Sequence, residues 1–170
     1  MRDESVDVFS RLPVATVASL EAAGWHAGRR VDVSDATRTL ESYGYVTSPV
    51  VLGFLESLWA LKVQPANEDG PNFINGEAFI VDPLGVGKRH RDEAVAISAA
   101  LGGSWCPIGW WLSYSHVFME ESGAMVACAN GLIWGLGDAP ESGLDFMVRA
   151  HRPLACLHVP EGMKAWPVDV

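Results

Sequence analysis

The stretch WCPIGWWLSYSHVFMEESGAMVACANGLIW, residues 105–134, decides the fold. Upstream of it the apolar residues recur at helical spacing; within it they fall into short runs broken by turn signals. Trp105 to Leu112 reads as one strand and His116 to Glu120 as a second. Glu121-Ser122-Gly123 is a hairpin turn signal, and Ala124 to Ala129 returns as the partner strand. Asn130-Gly131 marks another turn or bulge, followed by a short strand at Ile133-Trp134. Neighbours in a strand point to opposite faces, so one ring of Trp110-Trp111 faces the core and the other faces away. The outward ring either packs under a helix or anchors a contact on an open sheet face.

The N-terminal third is helical. Val14, Val17 and Leu20 share a helix that begins near Pro13 and stops at Gly24. Gly24 can take the left-handed backbone that closes a helix. Trp25 then covers the helix end, and its indole N–H needs a partner. Gly28 permits a second bend, and Arg29 presents a five-donor fork just beyond it. Ser34 caps a second helix with the stripe Val33, Ala36, Leu40 and Tyr43, ended by Gly44. Ser48-Pro49 opens a third. Its core face is Val51, Phe54, Leu55 and Leu58, while Gly53, Glu56, Ser57 and Ala60 form a small, polar side. The turn-rich residues 67–76 read as a loop between strands. Ala78-Phe79-Ile80-Val81 is a short buried strand closed by Asp82-Pro83, and Val86 to Arg91 reads as a Gly-rich basic loop. Ala94, Ile97 and Leu101 mark a fourth helix, stopped by Gly102-Gly103. Downstream, Pro140 opens a final helix on Leu144, Met147 and Val148, and the segment after Pro153 reads as an irregular tail. Helices segregated from a run of antiparallel strands imply an α+β layer fold.

With 170 residues the chain suits one domain, and 49% apolar against 19% charged residues argues for a real core. The formal net charge of −9 repels nucleic acid and anionic membranes. It favours a basic protein partner, or serves solubility alone. Arg2, Asp3, Glu4 and Asp7 interrupt any signal-peptide core, and no apolar stretch reaches the ~20 residues of a membrane span. Cys106, Cys128 and Cys156 are odd in number, widely spaced and without zinc-site pairing. They suit reduced thiols, so a cytoplasmic location is expected, with no metal and no cofactor.

Catalytic signatures fail one by one. Gly85-Val86-Gly87-Lys88 resembles the end of a phosphate-binding loop, but Asp82 stands where its first Gly belongs and Arg89 where Ser or Thr should hold magnesium. No Gly-x-Ser-x-Gly occurs. Strands could bring Cys106 or Cys128 to His116, yet Cys on apolar strands is ordinarily inert core filling. His151 and His158 have no evident partner. Glu120 and Glu121, adjacent on a strand, cannot form an acid–base dyad locally. Asp92-Glu93 is a second adjacent pair of carboxylates. Asp138, Glu141 and Asp145 favour the start of the final helix, and alternatively extend an acidic binding face.

The order of these signals is similar to the third immunity family of the SUKH superfamily. The matching features are Gly24-Trp25 with Gly28-Arg29, the Phe79 to Pro83 strand, Leu101-Gly102 with Cys106-Pro107-Ile108-Gly109, the hairpin at Ser122-Gly123, Ala129-Asn130-Gly131, and Gly135-Leu136-Gly137-Asp138 before the last helix. The likeness covers about residues 12 to 150, departing where Ala129 and Asn130-Gly131 replace a frequent aromatic. It implies a single SUKH-like domain over 1–155, with a curved antiparallel sheet packed against helices and an irregular tail over 156–170. It also implies a non-catalytic immunity protein that neutralises a cognate toxin, a nuclease or nucleic-acid deaminase with a basic substrate groove. No catalytic residues transfer; Gly24, Trp25, Gly28 and Arg29 are implied fold determinants. Acidity and expected exposure nominate Asp82, Trp110, Glu120, Glu121, Asp138 and Glu141 as a pool of partner contacts. The alternatives are a regulatory or scaffold domain of the same fold that binds a cellular protein, and a small-molecule site beneath the Trp-rich sheet.

Overall fold

The computed structural model describes residues 8–168; the charged start containing Arg2, Asp3, Glu4 and Asp7 lies outside that range. After a 3-10 turn at Val8–Arg11, three helices follow: α1 (Val14–Ala22), α2 (Ser34–Ser42) and α3 (Pro49–Leu58). Then come β1 (Lys62–Val63), β2 (Phe79–Val81), α4 (Pro83–Gly87), α5 (Arg91–Leu101), β3 (Trp105–Trp111), β4 (Ser115–Glu120), β5 (Met125–Ala129), β6 (Leu132–Gly137), α6 (Pro140–Arg149) and β7 (Ala155–His158). The seven strands form one open antiparallel sheet in sequence order. This is the expected α+β architecture of one antiparallel sheet packed against helices. Register shifts at Pro107/Gly109, Met125/Val126 and Ile133/Trp134 bend the sheet locally.

Two helices end by the same device. Gly24 has φ +102°, its N–H reaches the Glu21 carbonyl, and the Trp25 N–H reaches the Leu20 carbonyl. Twenty residues later Gly44 (φ +90°) and Tyr45 repeat the pattern onto Glu41 and Leu40. These are Schellman closures, which satisfy orphan carbonyls and fold an apolar residue back over the helix end. Trp25 and Tyr45 are that residue, and both are buried. Ser48 caps α3 through the Val51 N–H, as its start chemistry predicts. α2 differs: Ser34 is inside the helix, and the Asp32 carboxylate accepts from its N–H instead.

Strands β3 to β6 are buried almost throughout. A one-sided sheet would alternate; this one is covered on both faces. Trp111 packs against Phe73 and Phe146 of α6, while the adjacent Trp110 turns to the other face, against His90 and His116. Asn75, fully buried, brackets the long loop to the core: its amide donates to the Met147 carbonyl (2.9 Å) and its carbonyl oxygen accepts from the Trp111 indole (3.2 Å).

Three expectations need correction. Residues 83–87, read partly as a loop, form the short helix α4, because Asp82 caps it through the Gly85 N–H (3.0 Å) and Pro83 presets its first turn. The short Ile133-Trp134 strand extends over Leu132–Gly137, since Asn130 (φ 51°) and Gly131 (φ 81°) make a tight two-residue turn that holds the register. The tail expected to be irregular from residue 156 begins inside strand β7: without it β6 would be an edge with unpaired backbone groups, and Ala155–His158 satisfy them. Among the described residues, no helix is long and apolar enough to cross a membrane.

Candidate functional site

The Gly24–Arg29 segment sits against the C-terminal end of α3. The Trp25 indole N–H donates to Ser57 Oγ at 3.0 Å, deep in the core. The Arg29 guanidinium donates to the Ser57 carbonyl at 2.7 Å and to the Trp59 carbonyl at 3.0 Å. These are carbonyls left over at the helix end, where the macrodipole also favours a cation. Both side chains are therefore occupied in joining the first loop to α3.

Beside this junction lies a groove of about 700 Å³. Phe9 and Phe54 contribute apolar lining, and Pro49, Val50 and Gly53 of α3 line it as well. Ser122 of the β4–β5 hairpin, Ala139, Pro140 and Glu141 also border it, together with Arg30 and Glu56 near the junction. A β-carbon built on Gly53 meets nothing within 4 Å, so that position faces open groove. The hairpin is held there by Ser48 Oγ, which donates to the Glu121 carbonyl at 2.9 Å. Gly123 is close-packed between Pro140 and Val50, which would crowd any β-carbon there.

The six nominated contact residues do not form one patch. Glu141 lines the groove, and Glu121 is exposed at the adjoining hairpin tip. Glu120 folds back onto Ser122, whose hydroxyl and backbone N–H hold its carboxyl below the usual range. Asp138 lines a second depression of about 510 Å³ with Arg152, Leu101 and Leu157. Asp82 is exposed but engaged as the α4 cap, and Trp110 is half-buried beside two histidine rings. Asp145, expected with the acidic start of the last helix, is buried. Its carboxylate accepts from Thr16 Oγ1 (2.6 Å) and from Arg149 Nε (2.7 Å) and Nη2 (2.5 Å), and so ties α1 to α6. Burial pushes that carboxyl up, but the hydrogen bonds from Arg149 and Thr16 outweigh it and leave the pKa below its ordinary value.

The sheet does bring Cys128 opposite His116. Burial raises the Cys128 thiol to about 12, with the Glu93 charge adding to it, and burial likewise raises Cys106 to about 12. Both are protonated at neutral pH and are poor nucleophiles. What sequence reading missed is a three-residue cluster on that face. His90 Nδ1 lies 3.2 Å from Glu93 Oε1, and His116 Nδ1 lies 2.7 Å from Glu93 Oε2. The two imidazoles stack with centroids 3.7 Å apart. The His90-x-x-Glu93 spacing was the available local signal; His116 joins it only through the packing of α5 on the sheet.

A family model described as SUKH-3 immunity protein matches residues 12–149. Neither the curated proteins nor the solved structures contain a match to the chain.

Proposed function

The chain belongs to the SUKH-3 immunity protein family, and from that membership we propose that it is a non-catalytic immunity protein that binds and neutralises a cognate toxin in the cytoplasm. The observation that carries this reading is the extent of the match, which runs from α1 to the end of α6 and so spans all six α-helices and strands β1 to β6. The toxin is a nuclease or nucleic-acid deaminase with a basic substrate surface. A net charge of −9 on the immunity protein speeds encounter with such a partner and weakens with salt. The protein contacts neither nucleic acid nor membrane itself.

We assign the toxin-facing surface to the groove beside α3, with Glu141 within it and Glu121 at its rim. Three supports meet there: apolar lining for a buried anchor, carboxylates for a basic rim, and a hairpin held rigid by Ser48 and Pro140. Of the nominated pool, Glu121 and Glu141 are the primary contacts. Trp110, Glu120, Asp82 and Asp138 are the secondary ones, since each is engaged in the fold or lies at another depression.

Gly53 supplies the test. Gly53→Trp fills the groove from an unstrained helical position, and Gly53→Ala is the control. The readouts are survival and co-purification on co-expression with the toxin domain encoded beside the gene. Gly53→Trp, Glu121→Lys and Glu141→Lys are expected to lose protection with the fold intact, while Gly53→Ala keeps it. Full protection by all three would refute the assigned surface. Failure of the wild-type protein to protect or co-purify would refute the immunity reading.

A further inference from the structure

His90 immediately precedes α5 and Glu93 lies in its first turn, so three-residue spacing sets both on one side of that helix. His116 comes from β4, in register between Trp110 on β3 and Cys128 on β5. Each of the three residues offers a ligand atom, and these atoms all lie within 4.8 Å of one another. Zinc bonds of ~2.0–2.2 Å to nitrogen and oxygen place neighbouring tetrahedral ligand atoms ~3.3 Å apart. The two nitrogen–oxygen separations, 3.2 and 2.7 Å, are both shorter than that spacing, the first only slightly, so an ion requires a small spreading of the Glu93 and His116 side chains. The stacked rings turn both Nδ1 atoms onto the same carboxylate, one to each of its oxygens, which gathers two imidazoles and one carboxylate in one place.

We propose that His90, Glu93 and His116 form a zinc-binding site that clips the start of α5 to strand β4. Two imidazoles and one carboxylate are a nitrogen–oxygen set suited to zinc; magnesium and calcium demand oxygen ligands throughout. The side chains are 24%, 19% and 10% exposed, so the ion is shielded yet reachable from solvent. The Trp110 ring stands edge-on at 4.6 Å from the His116 ring, an apolar wall that limits competing water. Three protein ligands leave the fourth position of a tetrahedron for water or an exchangeable ligand. The site lies on the face of the sheet covered by α5, and it does not depend on the toxin-binding reading.

The experiment uses the purified full-length chain, stripped of metal and titrated with zinc by calorimetry and by competition with a chromogenic chelator. One equivalent is expected to bind and to raise the melting temperature, with calcium doing neither. His90→Ala and Glu93→Gln should each weaken zinc binding about 100-fold and abolish the thermal shift, with circular dichroism unchanged. His26→Ala and His158→Ala, at exposed histidines elsewhere, should bind as the wild type does. The proposal is overturned if the wild type shows no saturable binding of one equivalent, or if His90→Ala and Glu93→Gln bind zinc as tightly as it does.

Discussion

Replacing Arg29 tests whether the loop after α1 is fastened by charge or merely packed. The guanidinium makes two hydrogen bonds to carbonyls at the end of α3, at 2.7 and 3.0 Å. A hydrogen bond from a charged group contributes ~1.5–3 kcal/mol when well shielded. Arg29 is only half-buried, so water competes and the lower end of that range applies. Arg29→Ala should therefore cost about 2–3 kcal/mol, part of it from the two carbonyls left without their donor. Arg29→Lys keeps the charge but not the fork, and one ammonium cannot reproduce the paired geometry. It should cost about 1–1.5 kcal/mol, roughly half the alanine effect. At ~2–4 °C per kcal/mol for a chain of this size, the alanine variant should melt about 5–10 °C lower. Equilibrium urea denaturation reads both variants, with an unchanged slope confirming that only stability moved. If Arg29→Ala loses less than about 0.5 kcal/mol, or Arg29→Lys matches the wild type, the carbonyl-fork reasoning is wrong.

Other perturbations probe the rest of the frame. Asp145→Asn should destabilise by about 2 kcal/mol at pH 7, because the buried Thr16 hydroxyl and the Arg149 fork lose a charged acceptor. The Asp145 carboxyl has its pKa depressed in the fold, so its contribution is fully present above the ordinary aspartate value of ~3.9 and is lost as pH falls below that through the folded value. Urea titrations from pH 7 to pH 3 should show the gap between wild type and variant closing only at the acid end; a gap that stays constant would refute the assignment. Asn75→Ala should cost about 2–4 kcal/mol, since the Trp111 indole and the Met147 carbonyl lose their partner in a site with no exposure. Near-ultraviolet circular dichroism of Trp111 and urea midpoints measure it, and a change below about 0.5 kcal/mol would show that the loop is not bracketed there.

Much of this architecture is readable from short windows of sequence. Gly24-Trp25 and Gly44-Tyr45 close helices because positive φ, free for glycine, and one following apolar residue suffice. Ser48-Pro49 starts α3, and Gly123 and Asn130-Gly131 turn hairpins, for equally local reasons. Local windows also indicated that Trp25 needs a hydrogen-bond partner, but not that Ser57, thirty-two residues on, supplies it. Asn75 looks like a turn residue next to Gly76, and Asp145 like a helix-start acid. Each is instead a buried bracket, since the carbonyls and hydroxyls that need them arrive from distant elements. The burial of both sheet faces, the capture of β7 by the edge of β6, and the meeting of His90 and Glu93 with His116 are of the same kind. Backbone conformation and capping are decided within a few residues, so the sequence alone determined the long helices, the central strands and most of their turns, but not α4, the full length of β6 or strand β7. Which polar groups share a partner, and which acids are left at the surface, depends on desolvation and packing across the whole fold, and only the tertiary structure decided that.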